Sequence, residues 1–125
     1  MKILIGEDEV HIITLLKFTL EIAGYEVRVA QNGLEVIEQV RLDRPDLILL
    51  DVKMPEMNGW QVCEKLKSDE KTKSIPIIIV TAFVQKEAQD RSLELGADDF
   101  ITKPFDSKAL LVCVDRVLQR KKARD

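Results

Sequence analysis

Acidic side chains in this sequence stand at the ends of short apolar runs, where carboxylates from separate segments can act together. Glu7 and Asp8 follow the apolar run 3–5, and Asp51 follows the unbroken apolar run 47–50. Carboxylates that converge repel one another unless a cation neutralises them, and all-oxygen ligation suits a hard divalent ion such as Mg²⁺ or Mn²⁺. These residue types and positions therefore predict a divalent metal site.

Two further polar side chains stand at the ends of later apolar segments. Thr81 follows the run 77–80, and Lys103 comes two residues after Ile101. A lysine offsets the charge of phosphoryl oxygens and a hydroxyl donates to one of them, while a carboxylate beside a metal ion can attack phosphorus. Each residue also has a plain structural interpretation, as a strand end or a turn. The ordered set favours phosphoryl transfer to a carboxylate.

The elements that must position these residues follow from a repeated pattern. Short apolar runs, each followed by a stretch with helical spacing, occur at 3–5, 27–29, 47–50, 77–80 and 100–101. Five strand–helix units predict an α/β fold with a doubly wound, five-stranded parallel sheet, because parallel strands need crossover connections. The flavodoxin-like strand order 2-1-3-4-5 fits this length, and it gathers the carboxyl ends of the strands along one edge.

Helix 1, expected over about residues 10–23, carries two apolar stripes. The first has the spacing of core residues and consists of Ile12, Leu16 and Leu20. The second points partly elsewhere and consists of Leu15, Phe18 and Ile22. A helix that is apolar on more than one side is either deeply buried or presents a docking surface. Both interpretations of the second stripe stay open.

Composition limits the class of protein. The chain has 125 residues, of which 46% are hydrophobic and 33% charged, which fits one compact domain. We expect that domain over residues 1–119, followed by a basic C-terminal tail or linker stub over 120–125. A net charge of −3 gives no global basic field, so we expect no direct nucleic-acid binding.

Cysteine usage and hydropathy point to a cytoplasmic location. Cys63 and Cys113 are too few and too far apart for a disulfide framework or a zinc site, and each lies between apolar neighbours. We expect two buried thiols in a reducing compartment. The N-terminal apolar segment is too short for a signal peptide, and no run is long enough for a membrane span.

With these residues in this order, the sequence resembles a known family, the receiver domains of two-component response regulators. The resemblance covers essentially the whole chain and rests on the segments ILIGEDE, GYEV, AQNG, PDLILLDVKMPEMNG, PIIIVTA and LGADDFITKPF. It implies that Asp51 is the phosphoacceptor and that Asp8 binds Mg²⁺ directly. It also implies that Glu7 acts through a metal-bound water.

The same resemblance implies roles for further residues. The backbone carbonyl of Lys53 would be the third protein ligand of the metal, and Lys103 would contact the phosphoryl group. Thr81 would be the switch hydroxyl and Phe100 the switch aromatic. The bond between Lys103 and Pro104 would be cis, as it typically is in the family.

The sequence departs from the family pattern at two positions. Glu7 stands where the family more often has Asp, and a water-mediated role tolerates the extra methylene better than direct ligation does. Phe100 stands where a hydrogen-bonding tyrosine is often found, so any signal through this ring must come from packing. Neither departure removes the phosphoacceptor chemistry.

The implied function is a phosphorylation-operated switch rather than a turnover enzyme. A sensor histidine kinase, a histidine phosphotransfer protein of a phosphorelay or a small phosphodonor would phosphorylate Asp51. The domain would catalyse its own phosphorylation and slow autodephosphorylation, with Lys53 and Phe83 setting the lifetime. The face of helix 4, strand 5 and helix 5 would then change its binding of a downstream protein or a missing effector domain, and could form a homodimer.

Three other functions are compatible with parts of the sequence. A metal-dependent aspartyl phosphatase would usually have a second Asp where this chain has Lys53. A scaffold without phosphorylation would have no use for the acids, Thr81 and Lys103. A flavin-binding domain would need a glycine- or hydroxyl-rich phosphate loop after strand 1, where this sequence is acidic.

Overall fold

Strands and helices alternate along the chain as predicted. A computed structural model describes residues 1–82 and 85–124. The strands are β1 (Lys2–Gly6), β2 (Glu26–Ala30), β3 (Leu47–Asp51), β4 (Ile77–Thr81) and β5 (Asp99–Thr102). The helices are α1 (Val10–Ile22), α2 (Gly33–Leu42), α3 (Gly59–Lys67), α4 (Lys86–Glu94) and α5 (Ser107–Arg124). All strand pairs are parallel, in the order β2-β1-β3-β4-β5, which confirms the predicted topology.

The two central strands explain the unbroken apolar runs in the sequence. Every residue of β3 and of β4 is buried. Helices cover both faces of a parallel sheet, so a central strand needs apolar side chains on both sides. The only polar residues of these two strands are their last ones, Asp51 and Thr81. The sheet therefore delivers a carboxylate and a hydroxyl to its edge from an apolar interior.

The core has two layers, one on each face of the sheet. One layer packs α2 and α3 on the sheet and includes Val36, Leu50, Val62, Cys63 and Leu66. The other layer packs α1 and α5 on the opposite face and includes Leu16, Leu20, Leu49, Cys113 and Val114. The alternation of Leu49 and Leu50 between the layers follows from the two-residue period of a strand.

The two stripes of α1 differ in burial. Leu16 and Leu20 are buried, as predicted for the core stripe. The side chains of the second stripe are largely exposed, with fractions of 43% at Leu15, 52% at Phe18 and 74% at Ile22. The second stripe is therefore not part of the core, and its use as a docking surface stays a prediction.

The C-terminal segment continues the last helix. Residues 120–124, which the sequence suggested as the start of a tail or linker stub, lie in α5. The division of the chain after residue 119 stays a prediction. None of the helices within residues 1–82 and 85–124 is long and apolar enough to cross a bilayer.

Candidate functional site

The carboxyl ends of β1 and β3 bring three acids together. Gly6 pairs with Leu50 in the sheet, so the residues that follow them, Glu7 and Asp51, emerge side by side. One oxygen each from Glu7, Asp8 and Asp51 lies within 4.8 Å of the others. We call these three residues the acidic cluster. Its members converge as the sequence predicted.

Burial and charge make the acidic cluster unusual. Glu7 is 1% exposed and Asp51 is 6% exposed, whereas Asp8 is exposed to solvent. Lys103 Nζ lies 2.7 Å from Glu7 Oε1 and 3.3 Å from Asp51 Oδ2. One lysine thus pairs with two buried carboxylates, and the third acid, Asp8, adds to the negative charge of this partly desolvated site.

Glu7 is fixed by two further contacts. Its Oε2 accepts hydrogen bonds from the backbone N–H groups of Asp8, at 3.1 Å, and Glu9, at 3.2 Å. The other oxygen accepts the bond from Lys103. Sequence reasoning assigned Lys103 to a phosphoryl group and did not foresee this pairing with Glu7. The two residues are 96 positions apart, and nothing in the local sequence indicates the pair.

The environment changes the ionisation of Asp51 and Lys103. Burial and the neighbouring charge of Glu7 raise the pKa of Asp51 to about 7, although Lys103 partly offsets both effects. Burial alone would lower the pKa of Lys103, but the hydrogen bond to Glu7 and the charge of Asp51 outweigh it and raise the pKa. Lys103 therefore stays protonated while Asp51 resists ionisation.

The acidic cluster fits a hard divalent cation. Its ligands are carboxylate oxygens close enough to share one ion, which is the donor set that Mg²⁺ prefers. A bound dication would neutralise the charge that Lys103 leaves uncompensated. The chemistry of the donors thus agrees with the Mg²⁺, or alternatively Mn²⁺, expected from the sequence.

A cavity of about 410 Å³ opens beside the acidic cluster. It is lined by Asp8, Glu9, Asp51, Lys53, Thr81, Ala82 and Lys103. The predicted hydroxyl and lysine therefore border the same space as the predicted phosphoacceptor. The backbone N–H of Lys103 donates to the carbonyl of Thr81 at 2.7 Å, which ties the end of β5 to the end of β4.

The other residues that the sequence singled out lie at the cavity, in the core or outside the described part of the chain. Lys53 is exposed at the cavity, and Phe100 is half-buried against the core layer of α2 and α3. The bond between Lys103 and Pro104 is cis, as the resemblance implied. Phe83 lies outside the described residues.

Close backbone packing sets the position of Asp51. A Cβ atom at Gly59 would overlap the carbonyl oxygen of Asp51, so only glycine fits there. The N–H of Gly59 also donates to the carbonyl of Val52 at 2.8 Å. Asn58 and Gln61 form a capping box that starts α3 at this point. In the sequence, Asn58 and Gly59 have the pattern of an ordinary helix start, and that pattern does not reveal the contact with Asp51.

Sequence reasoning treated Trp60 only as a packing residue. A second cavity, of about 590 Å³, shares Asp8 and Lys53 with the first one, and Trp60 forms part of its wall. The signal available in the sequence was the position of Trp60 directly after Gly59, a few residues beyond the predicted phosphoacceptor. Trp60 therefore belongs to the surroundings of the site.

This chain belongs to the response regulator receiver domain family, whose model matches residues 3–115. It is thus a receiver domain of the kind found in two-component signal transduction. Among individual proteins, it is 40% identical over 119 residues to the alkaline phosphatase synthesis transcriptional regulatory protein PhoP of Bacillus subtilis (strain 168). That match covers 95% of this chain and 49% of PhoP, so the chain spans about half the length of the curated relatives it matches.

Solved structures agree with this assignment. The response regulator receiver domain protein from Methanospirillum hungatei JF-1 superposes with a TM-score of 0.92 at 31% identity, covering 99% of this chain and 98% of that one. The receiver domain of a sensor histidine kinase from Pseudomonas aeruginosa PAO1 gives 0.87 at 26% identity, covering 94% and 97%. Its structure has a magnesium ion coordinated in the active site cleft.

Membership in the family settles the class of function. Receiver domains generally act as non-enzymatic switches, bind Mg²⁺ in the active site and have sensor histidine kinases as typical partners. The match favours a receiver domain over an aspartyl phosphatase or a flavin-binding domain with the same strand order.

Proposed function

We propose that this domain accepts a phosphoryl group on Asp51 and thereby switches its binding of a partner. The donor is a sensor histidine kinase, a histidine phosphotransfer protein or a small phosphodonor. The observation that carries the proposal is the acidic cluster with Lys103 paired to two of its members, beside a cavity that Thr81 also lines.

The chemistry assigns a role to each side chain at the cavity. A carboxylate oxygen of Asp51 attacks phosphorus and forms a new P–O bond. The P–N bond of phosphohistidine, or the P–O bond of a small acyl phosphate, breaks and its electron pair leaves with the donor. Lys103 offsets charge on the phosphoryl oxygens, and the hydroxyl of Thr81 donates a hydrogen bond to one of them.

Four residues would hold the metal ion. Asp8, Asp51 and the backbone carbonyl of Lys53 would bind Mg²⁺ directly, and Glu7 would act through a water. Bound Mg²⁺ supplies positive charge that stabilises the phosphoryl oxygens during transfer. Mn²⁺ offers the same hard, oxygen-preferring chemistry.

Neighbouring residues would set how long the phosphoryl group persists and how phosphorylation changes the binding face. The domain catalyses its own phosphorylation and slow autodephosphorylation, and Lys53 and Phe83 set the lifetime of the phosphoryl group. Thr81 and Phe100 move inward on phosphorylation. The face of α4, β5 and α5 then changes its affinity for a downstream protein, an effector domain or a second copy of this chain.

The remaining proposals concern context. The receiver domain spans residues 1–119, acts in the cytoplasm and does not itself bind nucleic acid. The exposed stripe of Leu15, Phe18 and Ile22 docks the kinase or phosphotransfer protein, which would cover its apolar surface.

The direct test is mass spectrometry of the intact protein after incubation with acetyl phosphate and Mg²⁺. The wild type and the control variant Asp115→Asn, which changes an exposed acid on α5, should gain one phosphoryl group. Asp51→Asn should gain none. A wild type that stays unmodified would support a scaffold without phosphorylation, and equal labelling of Asp51→Asn would place the acceptor elsewhere.

A further inference from the structure

Helix α4, described in full, buries one polar residue and no apolar residue. Ser92 is the only buried residue of α4, every residue of which the structure describes, and it is 1% exposed. Its hydroxyl accepts a hydrogen bond from Nε1 of Trp60 at 3.1 Å and donates one to the carbonyl of Ala88 at 3.0 Å. An element with so little buried apolar surface can shift at low cost in free energy.

Trp60 contacts a second residue of the same helix. The guanidinium carbon of Arg91 lies 5.1 Å from the centroid of the Trp60 ring, which is within the range of a cation–π interaction. Arg91 is otherwise exposed. One indole on α3 thus contacts two consecutive residues of α4 in two different ways.

The same indole is next to the phosphoacceptor turn. Trp60 directly follows Gly59, whose backbone lies against the carbonyl of Asp51 without room for a methyl group. The ring also borders the cavity that Asp8 and Lys53 line. Because no space separates Gly59 from Asp51, a shift of the Asp51 backbone would displace Gly59 and the adjacent Trp60.

We infer that Trp60 is a positioning residue that links the placement of α4 to the state of the acceptor site, through its contacts with Ser92 and Arg91. The inference rests on the proposed function and names a contact that regulates it. These contacts stabilise the unphosphorylated placement of α4 and weaken when Asp51 is phosphorylated. By reciprocity, a variant that weakens them should make the phosphorylated state easier to reach.

The test uses beryllofluoride with Mg²⁺ as a phosphoryl mimic, with affinity measured by isothermal titration calorimetry. Ser92→Ala removes the acceptor, and Trp60→Phe keeps an aromatic ring but removes the donor. Each should bind beryllofluoride about fivefold more tightly than the wild type, as the loss of one restraining hydrogen bond predicts. The double variant should gain no more than Trp60→Phe alone, because both substitutions remove the same bond and Trp60→Phe also alters the contact with Arg91.

Two further variants separate this role from packing. Ser68→Ala is the matched control, since the hydroxyl of Ser68, the residue that follows α3, also donates to the carbonyl four residues earlier but is exposed. Its affinity should equal that of the wild type. Arg91→Gln changes an exposed residue, so the variant should fold, and it should also tighten binding.

Fluorescence gives a second readout, because Trp60 is the single tryptophan of the sequence. Beryllofluoride should change its emission in the wild type and should change it less in Ser92→Ala, where the contact is already broken. Equal affinities in all variants, with wild-type binding intact, would overturn this inference alone. A wild type that binds no beryllofluoride would overturn the proposed function and the inference with it.

Discussion

At the residue level, the two buried carboxylates Glu7 and Asp51 share one lysine. Lys103 Nζ is 2.7 Å from Glu7 and 3.3 Å from Asp51, so the closer partner is the acid that is not the proposed phosphoacceptor. This leaves Asp51 the less well compensated of the two. A bound cation would therefore stabilise the charge of Asp51 more than that of Glu7.

We expect Asp51→Asn to stabilise the protein when no divalent ion is present. Because folding raises the pKa of Asp51 to about 7, its contribution to stability is present below the ordinary pKa and is lost as pH rises through 7. At pH 8 the wild type carries a penalty that asparagine lacks, on the order of 4 kcal/mol for a pKa that rises from 3.8 to about 7. Thermal unfolding in EDTA should show this as a higher Tm for the variant.

Two conditions serve as checks on this prediction. The advantage of Asp51→Asn should shrink as pH falls from 8 to 5, since Asp51 then becomes neutral in the folded protein. Adding Mg²⁺ at pH 8 should raise the Tm of the wild type more than that of the variant. An advantage that is equal at pH 5 and pH 8 would contradict the proposed charge repulsion.

At the level of elements, the turn from β3 to α3 sets the acceptor in place. Gly59→Ala should disrupt it, because the added methyl group would overlap the Asp51 carbonyl. We expect a loss of about 2 kcal/mol or more in the free energy of unfolding by urea, and a marked loss of phosphorylation by acetyl phosphate.

Gly24→Ala provides a matched comparison for the same measurements. Gly24 has a φ of +98° but open space around it, so alanine there costs only backbone strain of about 1 kcal/mol. Phosphorylation should be unchanged in this variant. If Gly59→Ala behaved like Gly24→Ala in both assays, the contact with Asp51 would have no role in positioning the acceptor.

Helix α1 carries the proposed docking surface. The double variant Leu15→Ala, Phe18→Ala should slow phosphoryl transfer from the kinase about tenfold or more, because a few side chains buried at the centre of an interface carry most of its energy. Phosphorylation by acetyl phosphate should be unaffected, since the site itself is intact. The rates can be compared by following phosphoprotein on Phos-tag gels.

Exposed leucines on another helix give the control for this experiment. Leu34 and Leu42 of α2 are 53% and 75% exposed, so replacing both by alanine removes a similar apolar area elsewhere. That variant should accept phosphoryl groups from the kinase at the wild-type rate. An equal loss with both donors in the α1 variant would mean that Leu15 and Phe18 matter only for packing.

At the level of the whole molecule, much of the fold could be predicted because each strand has a local signature. The runs 47–50 and 77–80 are apolar throughout, and β3 and β4 are buried on both faces. Parallel pairing then places Asp51 and Thr81 at one edge, since a parallel sheet aligns the carboxyl ends of its strands. The convergence of the acidic cluster follows from the topology alone.

Other features depend on side-chain contacts between distant segments, which periodicity does not encode. The pairing of Lys103 with Glu7 and of Trp60 with Ser92 are examples, with separations of 96 and 32 residues. The lack of room for a side chain at Gly59 is another such feature, because a glycine after an asparagine also has the pattern of an ordinary helix start. These contacts between distant segments become visible only in the three-dimensional structure.

We expect the phosphorylated domain to dimerise through α4, β5 and α5. Arg116 of α5 lies 2.9 Å from Asp99 of β5, and Val112, one turn earlier, is 55% exposed on the same side of the helix. In beryllofluoride and Mg²⁺, light scattering should give a dimer mass for the wild type and a monomer mass for Val112→Glu.

The comparison variant for this prediction is Leu42→Glu, which places the same charge on an exposed leucine of α2. It should still dimerise. A wild type that remains monomeric at high protein concentration would argue against a dimer, and disruption by both variants would indicate a general effect of charge.

The division of the core into two layers has a practical consequence for observing this domain. Cys63 lies in one layer and Cys113 in the other, and burial raises the pKa of each thiol to about 11. Neither thiol should react with a maleimide until its own layer opens. Site-resolved alkylation can therefore time the loosening of each side of the sheet separately, with no engineered label.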